Sequence, residues 1–255
     1  MILELVKNKM KQLKMSNSLS EIEELLRESR ENEQDYLEFL NELLETELKG
    51  REIKRIETRI RQAGFPVIKT LADFDFSIRP TLNKHQILSL ADGSFIENKE
   101  NIILVGNPGL GKTHLSISLA YELCRKDKRI WFTTGIALIN KLREARDEKA
   151  FTRFLSQAQK LDLIVIDEIG YFPFEKEASE LFFQYLSERY EKGSIMITTN
   201  LPFSKWNEIF YTERLTTAIL DRLVHHSHIF ELNGESYRFT QSVMEKKEKL
   251  RKSKK

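Results

Sequence analysis

Eight consecutive residues, Gly106-Asn107-Pro108-Gly109-Leu110-Gly111-Lys112-Thr113, satisfy the spacing G-x-x-x-x-G-K-[ST]. Each part has a task in holding a phosphate. The glycines allow backbone torsions that a Cβ would block, so successive N–H groups can turn inward around an anion. A helix that starts at the end of the loop aims its unsatisfied N–H groups at the same charge. Lys112 brings a cation to the β- and γ-phosphates, and Thr113 offers a hydroxyl to Mg²⁺. The sequence therefore predicts that residues Gly106 to His114 bind ATP, with Mg²⁺ as co-ligand.

A second constellation lies in "LDLIVIDEIG", where four apolar residues, Leu163 to Ile166, run into Asp167 and Glu168. Two carboxylates at the end of a buried strand are costly unless they serve a charged ligand. Asp167 can orient the Mg²⁺ shell, and Glu168 can polarise an attacking water. A helix cap is the plainer use of such a pair. A third strand ends in "IMITTN", placing the Asn200 amide where open α/β sheets bind ligands. There it can hold the water or a γ-phosphate oxygen, or else serve as a turn residue before Leu201-Pro202. Arg222, in "AILDRLVHH", is either a surface residue or an arginine that reaches a neighbour's nucleotide, with Arg214 as its local rival.

These residues need elements to position them. Apolar runs at Asn101–Val105, Ile130–Thr133, Leu163–Ile166, Ile195–Thr198 and His228–Leu232 alternate with helical stretches. That alternation predicts an α/β fold with a parallel sheet covered on both faces. Leu115, Leu119 and Leu123 supply a buried stripe for the helix after the loop. Residues 1–64 carry helical periodicity only, which predicts a small all-α N-terminal domain ahead of the core at 65–244. Ser20 with Glu23, and Asp35 with Glu38, have capping-box spacing. The long helix that follows Asp35 should end near Gly64-Phe65-Pro66. The final segment, 245–255, reads as a disordered basic tail with seven Lys or Arg against two Glu.

Bulk properties narrow the classes. The chain has 255 residues, a formal net charge of +2 and 31% charged residues, as expected of a folded globular protein. Cys124 is the sole cysteine, which excludes an internal disulfide and a cysteine-rich zinc site. No apolar run approaches the roughly 20 residues of a membrane span, and the N-terminus lacks a signal-peptide pattern, so the sequence predicts a cytoplasmic protein away from membranes.

The P-loop, "LIVIDE", "ITTN" and "LDRL", in this order and spacing, resemble the AAA+ ATPases. The stretch "YLEFLNELLETELKGREIKRIETRIRQAGFPVIKTLADFDFSI" at 36–78 resembles the IstB-like proteins, ATPase helpers of an insertion-sequence transposase, which are related to DnaC-type helicase loaders. The final "GESYRF" is similar to the end of this group. The resemblance implies an AAA+ core with strand order 5-1-4-3-2 and little of the usual helical lid. It implies that Asn200 is the first sensor and Arg222 the arginine finger, acting across subunits of an ATP-dependent homo-oligomer. The second sensor arginine has no secure counterpart, and Arg238 receives no role. The implied partners are duplex DNA, bound largely without regard to sequence, and a cognate transposase.

The group also places helices between its second and third strands against DNA. Here that is Ala137 to Lys160, with Lys141, Arg143, Arg146, Lys149 and Arg153. Arg55 and Arg59 in the basic half of the long N-terminal helix are further candidates. Phosphate neutralisation is the chemistry on offer, since no Asn or Gln cluster faces a groove. On charge alone, both stretches also suit solvated faces laced with ion pairs. A helicase loader, favouring single strands, and a P-loop kinase of a small molecule are the competing functions. The adjacent carboxylates and the basic insertion favour hydrolysis over transfer.

Overall fold

The computed structural model describes residues 1–79 and 81–234. The expected tail at 245–255, Arg238 and the end of the 65–244 segment lie outside the described residues. The chain divides into a unit Met1–Thr58 and a second unit that begins at Arg59.

The first unit is helical: α1 (Ile2–Gln12), α2 (Ser16–Glu31) and most of α3 (Tyr36–Ala63). Met10, Ile22, Leu25 and Leu43 form its small buried core. Asp35 caps α3 as its spacing predicts. Its Oδ1 accepts from the N–H groups of Leu37 and Glu38 at 2.7 and 2.9 Å, and Glu38 returns a bond to the Asp35 N–H at 2.9 Å. The Ser20–Glu23 expectation fails, because α2 has already started at Ser16 and Ser20 donates to the Asn17 carbonyl from within the helix. The real cap comes from elsewhere. Glu47 Oε2, on α3, accepts from the N–H groups of Asn17 and Ser18 at 2.9 and 3.1 Å, and it lies buried there. These are orphan donors of the first turn of α2, satisfied by an acceptor 30 positions away. Burial pushes the Glu47 carboxyl up, but the Arg51 guanidinium and the two backbone N–H groups outweigh it and hold its pKa below the ordinary value.

Helix α3 ends as expected at Ala63, with Gly64 in the left-handed conformation at φ +73°. Its last turn belongs with the second unit, since Ile60 and Ala63 pack into that core. Two short helices that periodicity did not single out follow, α4 (Lys84–Leu90) and α5 (Ser94–Glu97). Next come β1 (Asn101–Gly106), α6 (Lys112–Arg125), β2 (Ile130–Thr134), α7 (Gly135–Asp147), α8 (Phe151–Gln159), β3 (Leu163–Ile169), α9 (Lys176–Arg189), β4 (Ser194–Thr199), α10 (Glu213–Val224) and β5 (Ser227–Leu232).

The five strands are all parallel in the order β2-β3-β4-β1-β5, the expected 5-1-4-3-2 read from the other edge. Successive residues of one strand feed opposite layers. Ile102 and Leu104 pack with Leu115, Leu119 and Leu123 of α6, whereas Ile103 packs with Leu138 of α7, Phe182 of α9 and Ile219 of α10. Burial on both faces explains why β1, β3 and β4 read as unbroken apolar runs, whereas the edge strand β5 alternates, with Phe230 and Leu232 buried and Ile229 and Glu231 exposed. The ladder between β3 and β4 is interrupted: Ile166 faces Ile197, but Ile169 faces Thr199. Three steps on one strand thus answer two on the other, a β-bulge that falls on Asp167 and Glu168.

Candidate functional site

The loop 106–111 joins β1 to α6 at the C-terminal edge of the sheet. A side chain at Gly106 would run into the Leu232 carbonyl, and one at Gly111, where φ is +93°, would stand 2.9 Å from the Phe74 ring. Both positions demand glycine for space as well as torsion. Lys112, nearly buried, curls back over the loop and donates from Nζ to the carbonyls of Gly106 and Asn107 at 2.6 and 2.9 Å. Thr113 Oγ1 donates to both carboxylate oxygens of Asp167, at 3.0 and 3.1 Å.

Asp167 is 4% exposed. Burial raises its pKa, while the hydroxyls of Thr198 and Thr113 and the Lys112 ammonium pull the other way. Glu168, the next residue, is exposed and sits in the left-handed region at φ +61°. Such a conformation is rare for a residue with a side chain. In a regular strand these neighbours would point to opposite faces. The bulge re-aims Glu168, so that it lines the same cleft as Lys112, Thr113, Thr198 and Asn200. The Asn200 Oδ1 is buried in this wall without a hydrogen-bond partner.

The cleft holds about 740 Å³. Its far side was not legible as part of a site. The segment after α3 folds over the loop and contributes Ile68, Phe74 and Arg79 to the lining. Arg79 Nε donates to the Leu110 carbonyl at 3.1 Å. His114 Nε2 lies 3.2 Å from the Thr70 carbonyl, and its ring stands edge-on to Phe74 at 5.4 Å. The alternating aromatics of "LADFDF" were the only signal that this stretch packs on something.

Arg222 lies elsewhere. It shares a small surface recess with Lys99, Asn101, Gly193 and Ile195, where β1 and β4 begin. The six residues of β1 separate that end from the P-loop, on the order of 20 Å. Its guanidinium lies over the Phe183 ring, 4.5 Å from the centroid, and Nη1 donates to the Ala218 carbonyl at 3.0 Å.

The basic candidates do not form one cluster. Arg143 bonds Glu175 at 2.7 Å and Arg146 pairs with Glu177, so both tie α7 to the start of α9. Lys141 stands over the Trp131 ring at 5.6 Å. Arg59 pairs with Asp127 at 3.0 Å. Lys149 and Arg153 are exposed around the junction of α7 and α8, and Arg55 is exposed on α3.

A carboxylate and a hydroxyl beside a phosphate loop are hard oxygen donors of the kind Mg²⁺ takes when phosphates and water complete its shell. Among the described residues no group of three or more His, Cys, Asp or Glu forms a protein-only metal cage. Also among the described residues, no helix is long and apolar enough to cross a membrane.

Comparison with known proteins bears on this geometry. A sequence model of the IstB-like ATP binding proteins matches residues 8–245. The protein described as the ATP-binding protein of insertion sequence IS21 in Pseudomonas aeruginosa is 42% identical over 226 residues, covering 89% of this chain and 85% of that one. The corresponding protein of IS5376 in Geobacillus stearothermophilus is 40% identical over 215 residues, covering 84% and 86%. Among solved structures, AMPPCP-bound DnaA from Aquifex aeolicus superposes with a TM-score of 0.53 at 19% identity, covering 72% of this chain and 56% of that one. That likeness is one of fold.

Proposed function

This chain belongs to the IstB-like family of ATP-binding proteins and is an AAA+ ATPase; from that premise we propose that it serves an insertion-sequence transposase as an ATP-dependent helper. ATP-loaded subunits associate on duplex DNA, largely without regard to sequence, and engage the cognate transposase. Hydrolysis resets the assembly. The insertion-sequence setting of the relatives supports this partner.

The observation that carries the reading is the division of parts across the sheet. Lys112, Thr113, Glu168 and Asn200 line one cleft, with Asp167 bonded to Thr113, while Arg222 sits where the strands begin. In the proposed reaction the loop N–H groups and Lys112 bind the triphosphate, the ammonium exchanging its two loop carbonyls for phosphate oxygens. Thr113 and Asp167 would hold Mg²⁺, which neutralises charge on the phosphates when bound. Glu168 takes a proton from the water that attacks the γ-phosphorus, and ADP leaves as the bond to its β-phosphate oxygen breaks. Asn200 lines the same cleft, where its amide N–H₂ can donate to a γ-phosphate oxygen. Arg222 cannot reach this cleft in its own chain, so it completes the site of a neighbouring subunit.

The test compares labelled duplex and single-stranded DNA, each with ATP and with ADP, followed by co-precipitation with the cognate transposase. Tight duplex binding with ATP, release with ADP and capture of the transposase are expected. A preference for single strands together with capture of a replicative helicase would replace this reading with that of a helicase loader. Phosphate appearing on a metabolite instead of in solution would make the protein a kinase.

A further inference from the structure

We propose that Thr198 is the positioning residue that sets Glu168 for hydrolysis, by gripping both halves of the acidic pair at the bulge. The inference rests on Glu168 being the hydrolytic carboxylate. Thr198 lies on β4, directly across from the bulge in β3. Its hydroxyl donates to Asp167 Oδ1 at 2.5 Å and accepts from the Glu168 N–H at 2.9 Å. One oxygen thus holds the side chain of one acid and the main chain of the next.

The backbone makes this second bond necessary. At the bulge the regular ladder lapses, so the Glu168 N–H loses its strand partner. A left-handed residue with a side chain persists only where its surroundings fix it. Here the fixing group is the Thr198 hydroxyl. Thr198 is itself enclosed: it is 1% exposed, and its other strand neighbour is Leu104 of β1, with which it is in register. The strand that leads into the phosphate loop and the acidic pair are thereby linked through one threonine. Released from that bond, Glu168 can relax toward an ordinary strand torsion, which turns its carboxylate out of the cleft.

The experiment uses the full chain with ATP, Mg²⁺ and duplex DNA, and measures fluorescent-ATP affinity and phosphate release separately. Thr198→Val keeps the shape and removes the oxygen. It should lower turnover roughly 10- to 100-fold while affinity stays within about threefold, the signature of a misplaced reacting group. Thr198→Ser restores the hydroxyl and should turn over within about threefold of the native protein, since no charge or hydrogen bond is lost. Native turnover by a folded Thr198→Val protein overturns the inference. Should the valine variant fail to fold, Thr198→Ala and Thr198→Ser carry the comparison. Equal losses in those two assign the role to the methyl group and overturn the inference as well. Glu168→Gln, run alongside, separates the two levels. If it hydrolyses ATP normally the catalytic assignment itself falls; if it is inactive while Thr198→Val is normal, only the role of Thr198 falls. Combining Thr198→Val with Glu168→Gln should cause no loss beyond Glu168→Gln alone.

Discussion

The guanidinium of Arg222 rests on the ring of Phe183, its central carbon 4.5 Å from the ring centroid, with one nitrogen bonded to the Ala218 carbonyl. In the proposed role in another subunit's site, Arg222 would benefit from a platform that limits its rotamers before the subunits meet. Arg222→Ala should leave ATP binding intact and cut turnover on the order of 1,000-fold. Phe183→Leu should cut it about tenfold, the scale of a lost cation–π contact. Mixing Arg222→Ala with Lys112→Ala subunits should restore part of the activity, because each supplies what the other lacks. Failure of every mixing ratio to do so would place the arginine outside the reaction.

Lys112→Ala removes the one P-loop ammonium. Fluorescent-ATP titration should show binding weakened by at least about 100-fold, the scale of a lost charge-assisted contact in a cleft. Gly111→Ala should weaken it too, since the new methyl would stand 2.9 Å from Phe74 and the φ of +93° suits glycine alone. A Gly111→Ala protein with native affinity would show that the loop opens on binding.

Glu168→Gln should bind ATP with native affinity and lose roughly 100- to 10,000-fold in turnover, the range of general-base catalysis. DNA complexes of this variant should persist when ATP is added, and a filter-binding decay measures this directly. Decay at the native rate would separate hydrolysis from release.

The basic residues divide by their partners. Lys149 and Arg153 are exposed, whereas Arg143 and Arg146 are engaged with the acidic start of α9. Replacing Lys149 and Arg153 together by alanine should lower duplex affinity and reduce the slope of log K against log salt by about two. Arg143→Ala should instead lower the melting temperature with little change in that slope. An unchanged slope in the double variant would remove α7 and α8 from the DNA surface.

In the first unit, Glu47 caps α2 from another helix, and its depressed pKa sets the direction of a pH effect. Its stabilising share is fully present above the unfolded carboxyl value of about 4.3 and fades as pH falls through the lower folded value. Glu47→Ala should cost about 1–3 kcal/mol by leaving the buried Ser18 N–H and the half-buried Asn17 N–H without an acceptor. Hydrogen exchange over residues 1–58 should show that loss at pH 7, and the variant should lack the further weakening of the native protein below about pH 4.

How far each feature was legible follows from the range of the interactions behind it. The phosphate loop is spelled by eight adjacent residues, and β1, β3 and β4 by apolar runs buried on both sides. The cap of α3 lies in four consecutive positions, Asp35 to Glu38, and was read correctly. The start of α2 was misplaced because its acceptor, Glu47, is 30 positions away. Thr198 escaped notice for the same reason, 31 positions from Asp167, with a side chain that resembles any other strand threonine. The roof over the cleft was hidden because a loop segment becomes a wall only once Gly111 admits Phe74 against it. The bulge at Asp167-Glu168 leaves no mark in the sequence, since it concerns which residue of β4 faces which of β3.

The parallel order of the sheet puts the grip on nucleotide at one rim and Arg222 at the other. On the proposed reading, in which Arg222 serves a neighbour's site, a solitary copy would be charged yet idle, and phosphate release would count neighbours instead of encounters with fuel. Dilution alone would switch the protein off, and any scaffold that lines copies up head to tail would switch it on.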